Sequence, residues 1–192
     1  GRNPTHESVA VTSGILSILD EGELRGVLAH EISHIKNRDI LVSTVAATLA
    51  TALSYIANMA YHMAIFNTDS DRKKRINPLS LLIVSILMPI AAMLIQMAIS
   101  RSREYLADET GADTCHDPLS LADALEKLGS HIHEDHLDNE DQAKASTAPL
   151  FIVHPFAGGT ISNLFSTHPP MQERIKRLKK MYEDLNRKKV KE

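Results

Sequence analysis

The chain has 192 residues, a formal net charge of -3, a pI near 6.4 and one cysteine, Cys115. That balance gives no reason to propose nucleic acid as a partner, and a lone thiol excludes an intrachain disulfide. Residues 1 to 8 are polar and do not read as a secretory signal, so a targeting element is expected upstream of Gly1 or within the apolar segments.

Residues 7 to 12 alternate, with Val9 and Val11 on one side, and predict a short strand. Such a strand offers an edge for an extended peptide. A short apolar helix is expected over 13 to 19. Asp20 with Glu23 three residues later resembles an N-cap and its reciprocal acid, so a second helix starts there. Its apolar positions Leu24, Val27, Leu28, Ile32 and Ile35 recur at helical spacing until Lys36-Asn37-Arg38-Asp39 interrupts them with charge.

Residues 40 to 68 and 76 to 100 contain no Asp, Glu, Lys or Arg, and each exceeds the roughly 20 residues that cross a bilayer as a helix. They predict a membrane hairpin of two helices, 40–66 and 79–100, around a polar loop. Pro89 falls inside the second, where a membrane helix tolerates a kink. The first is rich in small residues such as Ala46, Ala47, Ala50 and Ala52, which suit close helix packing in lipid. His62 lies within it, where an ionisable side chain calls for a partner in the bundle.

The second long helix is expected to continue through Glu104-Tyr105-Leu106-Ala107-Asp108 and to end near Gly111. Asp117 then caps another, with Pro118 in its first turn, Leu121, Leu125 and Leu128 on one face, and Gly129 as its stop. Residues 130 to 148 read as an acidic polar loop and 149 to 167 as irregular. The last helix starts at Pro169-Pro170 with Met171, Ile175, Leu178 and Leu185 as its apolar stripe. From 172 to 192, nine Lys or Arg stand against four Asp or Glu, the pattern of a solvated helix face.

The chemistry concentrates in Ala29-His30-Glu31-Ile32-Ser33-His34. Two histidines four apart project from one helix face, about 40° apart and one turn along, so both imidazoles can reach one zinc ion. Glu31 points about 100° further round and can take a proton from a bound water. A catalytic zinc takes three protein ligands and keeps one position open. A nearby third ligand of the downstream Gly-and-His kind is absent, since Asn37 and Ile40 occupy the relevant places. The alternative is an acid from another helix. Glu104 is the best candidate, with Asp108 on the same face to accept the free ring N–H of a ligand histidine.

With these motifs in hand, the chain resembles the HtpX protease homologues, membrane-integrated zinc metalloproteases related to the CAAX prenyl proteases. The resemblance is carried by Gly1-Arg2-Asn3-Pro4, Val9-Ala10-Val11-Thr12, residues 27 to 39, residues 93 to 108, and Phe165-Ser166-Thr167-His168-Pro169-Pro170. It covers essentially the whole chain outside 67–78 and 130–148. It implies further membrane helices before this segment, an active site facing the cytoplasm, and location in the cell (inner) membrane as a multi-pass protein. It also implies endoproteolysis of misfolded or damaged membrane proteins as the task. The histidine before the Pro-Pro pair, His168, is implied to lie near the metal and help stabilise an oxyanion, with Arg174 close by as a further catalytic residue.

The expected fold is therefore mainly α with a small β-sheet. It is a zincin-type domain, of the kind whose third ligand is Glu, interrupted by a two-helix transmembrane hairpin. Residues 1–39 form the first part of the catalytic domain, 40–100 the hairpin, and 101–192 the second part. One Zn2+ per chain is expected, held by His30, His34 and Glu104, with Glu31 as general base. The expected partners are polypeptide substrates and the lipid bilayer; nothing in the sequence sets an oligomeric state. Two competing readings stay open: a non-catalytic membrane scaffold with a structural zinc, and a protease specific for prenylated peptides.

Overall fold

The computed structural model describes residues 6–66, 78–135 and 169–189. Six helices make up the described chain: α1 (Ser13–Ile18), α2 (Glu21–Lys36), α3 (Asp39–Phe66), α4 (Pro78–Cys115), α5 (Pro118–Asp135) and α6 (Met171–Lys189). The chain divides into two compact units. One comprises 1–39 with 101–192, the other 40–100.

Among the described residues there is no strand, which corrects the expectation of a small sheet. Residues 7 to 12 are irregular, and Val9 and Val11 are exposed at 40% and 37%. Alternation makes a strand only where a neighbour completes its hydrogen bonds, and no such neighbour is present among these residues. Thr12 instead serves the helix that follows, its hydroxyl accepting from the Ile15 N–H.

In the first unit, α2 begins at a reciprocal cap. The Asp20 carboxylate accepts from the Glu23 N–H, and the Glu23 carboxylate accepts from the Asp20 N–H. Lys127 on α5 donates to the buried Glu23, tying that cap to the neighbouring helix. The core is built from Leu19, Val27, Ala112, Leu121, Leu125, Leu128, Ile175 and Leu178, so α2, α4, α5 and α6 all meet in it. Asp117 caps α5 through the Ser120 N–H.

Three readings of helix extent and facing change. The buried face of α2 is Gly26, Val27, Ala29, His30 and Ser33, whereas Ile32 is 53% exposed. Small residues win that face because the neighbours come in at backbone range. A Cβ on Gly111 of α4 would stand 2.9 Å from the His30 nitrogen, and one on Gly26 would stand 3.0 Å from the Leu121 nitrogen. Gly111 therefore lies inside α4, which runs on to Cys115. Gly129 likewise does not stop α5, which continues to Asp135. Its missing side chain makes room for Met171, whose sulfur would lie 2.5 Å from a Cβ there.

The second unit holds α3 after Asp39 and α4 up to Ser100. Among the described residues, two helices are long and apolar enough to cross a membrane. Leu49, Leu53, Ile56, Met59, Leu87, Ile90 and Leu94 are all exposed. Thr44, Thr48 and Thr51 return their hydroxyls to the carbonyls of Ile40, Thr44 and Ala47. Each of these three hydroxyls is thus satisfied within its own helix, as an apolar solvent demands.

Candidate metal centre

All the groups that converge at the site belong to the first unit. His30 and His34 stand one turn apart on α2, and α4 brings Glu104 opposite them. The His34 Nε2 lies 3.1 Å from the His30 Nε2. Glu104 oxygens lie 3.7 Å from each of these nitrogens. One ligand atom from each residue falls within 4.8 Å of the others. Two ligands at about 2.0–2.1 Å from a tetrahedral cation stand roughly 3.3 Å apart, so the three side chains fit a single ion.

The charges argue the same way. His30 Nδ1 lies 2.9 Å from Asp108 Oδ1, at ion-pair range but off the hydrogen-bond direction. His34 Nδ1 bonds to Asp39 Oδ2 at 2.6 Å. With a carboxylate beside each Nδ1, both Nε2 atoms lie toward Glu104, in surroundings where His30 is 1% and Glu104 8% exposed. A carboxylate and two ring nitrogens buried this close together favour positive charge beside them.

Arg174 supplies part of that positive charge. It is buried on α6 and grips Asp108 with two hydrogen bonds, Nε to Oδ2 at 2.7 Å and Nη2 to Oδ1 at 2.6 Å. Its Nη1 lies 3.5 Å from Glu104 and its Nη2 3.4 Å from the His30 Nε2. Burial works against its charge, but the bonds and charge of Asp108, with the charges of Glu104 and Glu31, outweigh it and raise its pKa above the usual arginine value. The guanidinium is firmly cationic.

The α2–α3 turn completes the surroundings. Arg38 adopts φ 55°, a left-handed conformation that side chains resist. After this reversal Asp39 bonds to the His34 ring, and Arg103 forms an ion pair with Asp39. Arg103 also donates to the Asn37 carbonyl at 2.9 Å.

Residues 1–182 match the sequence profile of peptidase family M48. The chain belongs to that family. Among M48 relatives, it is 55% identical over 184 residues to a protein named Protease HtpX homolog from Syntrophobacter fumaroxidans, covering 94% of this chain and 64% of that one. A protein of the same name from Persephonella marina is 55% identical over 181 residues, covering 94% and 63%. One from Thermococcus sibiricus is 49% identical over 189 residues, covering 96% and 63%. The chain thus spans a little under two thirds of the length of these relatives. No solved structure matches it. The resemblance read from the motifs is borne out at the level of the family.

In this M48 chain the geometry brings together His30, His34, Glu104, Asp108 and Arg174, with Glu31 half-buried on the turn between the two histidines. His168 lies outside the described residues, as do residues 67–77. The sequence reading missed Asp39 and Arg103. Asp39 stood only as part of a charged interruption, and its position five residues after His34 carries no helical signal. Arg103, next to Glu104, looks like half of an ordinary charge pair.

Proposed function

We propose that this chain is the catalytic portion of a membrane-embedded zinc endopeptidase. The convergence of two imidazole Nε2 atoms and one buried carboxylate, with a second acid between the histidines, supports this reading most directly. His30, His34 and Glu104 would hold zinc, and the N,N,O donor set suits that ion. Bound zinc supplies Lewis acidity that polarises a scissile carbonyl and lowers the pKa of water.

The chain's own residues do the rest. Glu31 takes the proton from the attacking water and passes it to the leaving amine. Asp108 fixes the His30 ring, and Arg174 holds Asp108 while lending positive charge to the site. His168 is assigned to oxyanion stabilisation on the resemblance alone. The substrates are polypeptides, misfolded or damaged membrane proteins in particular. The two long apolar helices, whose large side chains are mostly exposed, support residence in the cell membrane. The catalytic site is assigned to the cytoplasmic side, because Lys36, Arg38, Arg101 and Arg103 flank the apolar segments on the active-site end. Arg72, Lys73, Lys74 and Arg75 at the other end weigh against that orientation.

Cleavage of an unfolded substrate such as casein by the chain in detergent, with Glu31→Gln beside it, tests the reading. The Gln variant keeps its zinc and loses roughly 10²–10⁴-fold in rate. Equal cleavage by both proteins would refute the role of Glu31. A structural-zinc scaffold would cleave nothing, and a prenyl-specific enzyme would cleave a farnesylated peptide but not casein.

A further inference from the structure

Each ligand histidine has its own carboxylate, and each carboxylate its own arginine. On one side Arg174 holds Asp108, which faces His30. On the other Arg103 pairs with Asp39, which bonds to His34 Nδ1 at 2.6 Å. We infer that Asp39 and Arg103 are positioning residues for the metal, setting the tautomer and ring orientation of His34 as Asp108 and Arg174 do for His30. This inference rests on the reading of the site as a metal centre.

Three features support it. The first is geometry: Asp39 Oδ2 meets the ring nitrogen that points away from the shared centre, the only place from which an acceptor can fix the tautomer without competing for the metal. The second is burial. Asp39 is 9% exposed, and a buried carboxylate placed against a ring nitrogen needs a cation of its own, which Arg103 provides. The third is the backbone. Arg38 takes a left-handed φ of 55° just past the C-cap Asn37, a common way for a helix to end, and this ending brings Asp39 to the His34 ring.

The arrangement also gives α4 a double role. Consecutive residues on that helix serve the site from different directions: Glu104 meets both Nε2 atoms, while Arg103 reaches the C-terminal end of α2 through Asp39 and the Asn37 carbonyl. One helix thereby carries the third ligand and the anchors for both ring orientations, since Asp108 lies on it as well.

The test is zinc affinity of the full chain in detergent, measured by chelator competition, for wild type, Glu104→Ala, Asp39→Asn and Arg103→Gln. Thermal unfolding of each metal-free protein is followed in parallel. Asn keeps the shape of Asp but not its charge, so some metal-free stability is lost with the Arg103 pair, and affinity is therefore compared at a temperature where every metal-free variant is folded. The inference predicts that Asp39→Asn, assayed where its metal-free form is still folded, binds zinc roughly 10–100-fold more weakly, and that Arg103→Gln weakens binding in the same direction. Wild-type affinity in both variants would overturn it, as would a loss of affinity matched by unfolding of the metal-free protein. Failure of the wild type itself to bind zinc, or full binding by Glu104→Ala, would instead refute the metal-centre reading on which it rests.

Discussion

Glu104 and Asp108 carry opposite burdens although they sit one turn apart on α4. Glu104 turns its carboxylate to the two Nε2 atoms with which it is proposed to share a cation, and lies 3.5 Å from Arg174 Nη1. Asp108 is compensated within the protein by the two bonds from Arg174. Removing either half of that pair strands a buried charge, and Arg174→Ala is expected to destabilise the protein by about 3–5 kcal/mol, read from chemical unfolding in detergent. A loss below about 1 kcal/mol would place Arg174 among ordinary surface pairs. The nearness of His30 and His34 was legible in sequence because four residues on a helix fix a common face whatever the fold, whereas Glu104 was reached as an acid from another helix. Asp108 was legible through its spacing from Glu104. Asp39 and Arg103 were not, because their meeting depends on a left-handed residue at 38 and on a contact 64 positions away.

Helix contacts in the first unit are set by where side chains are missing. Gly111 lets α4 approach the backbone of α2 at His30 itself. Gly111→Ala therefore pushes apart the two helices that carry the ligands, with an expected cost of about 1–3 kcal/mol and weaker zinc binding in the same protein. An unchanged unfolding midpoint would show that the helices can part freely. The cap of α5 gives a second prediction at this scale. The Ser120 side-chain hydroxyl, chiefly, holds the Asp117 carboxyl below its usual pKa. A lowered native pKa means that the cap's contribution is present above the unfolded value, about 3.9, and is lost as pH falls through the native one. Asp117→Ala is expected to cost about 1 kcal/mol at neutral pH, and the difference from wild type should shrink in acid. A difference independent of pH would contradict the cap. The caps themselves were readable from sequence, as were the starts of α2, α5 and α6. The ends of α4 and α5 were not, because a glycine that terminates a helix and one that admits a neighbour look alike until the neighbour is in place.

At the level of the whole chain, the charge pattern and the compact units share their boundaries: two uncharged stretches mark 40–100, and the same residues form the second unit. The predicted sheet failed because alternation at Val9 and Val11 describes a surface without supplying a partner strand. If the apolar helices lie in lipid, the chain should stay with the membrane fraction through an alkaline carbonate wash; release into the supernatant would refute the hairpin. The most direct test of the account is metal stoichiometry of the purified chain by elemental analysis, for wild type, Glu31→Gln and Glu104→Ala. The account predicts one zinc per chain in the first two and a marked deficit in the third. A full equivalent of zinc retained without the carboxylate at 104, or none in the wild type, would contradict it.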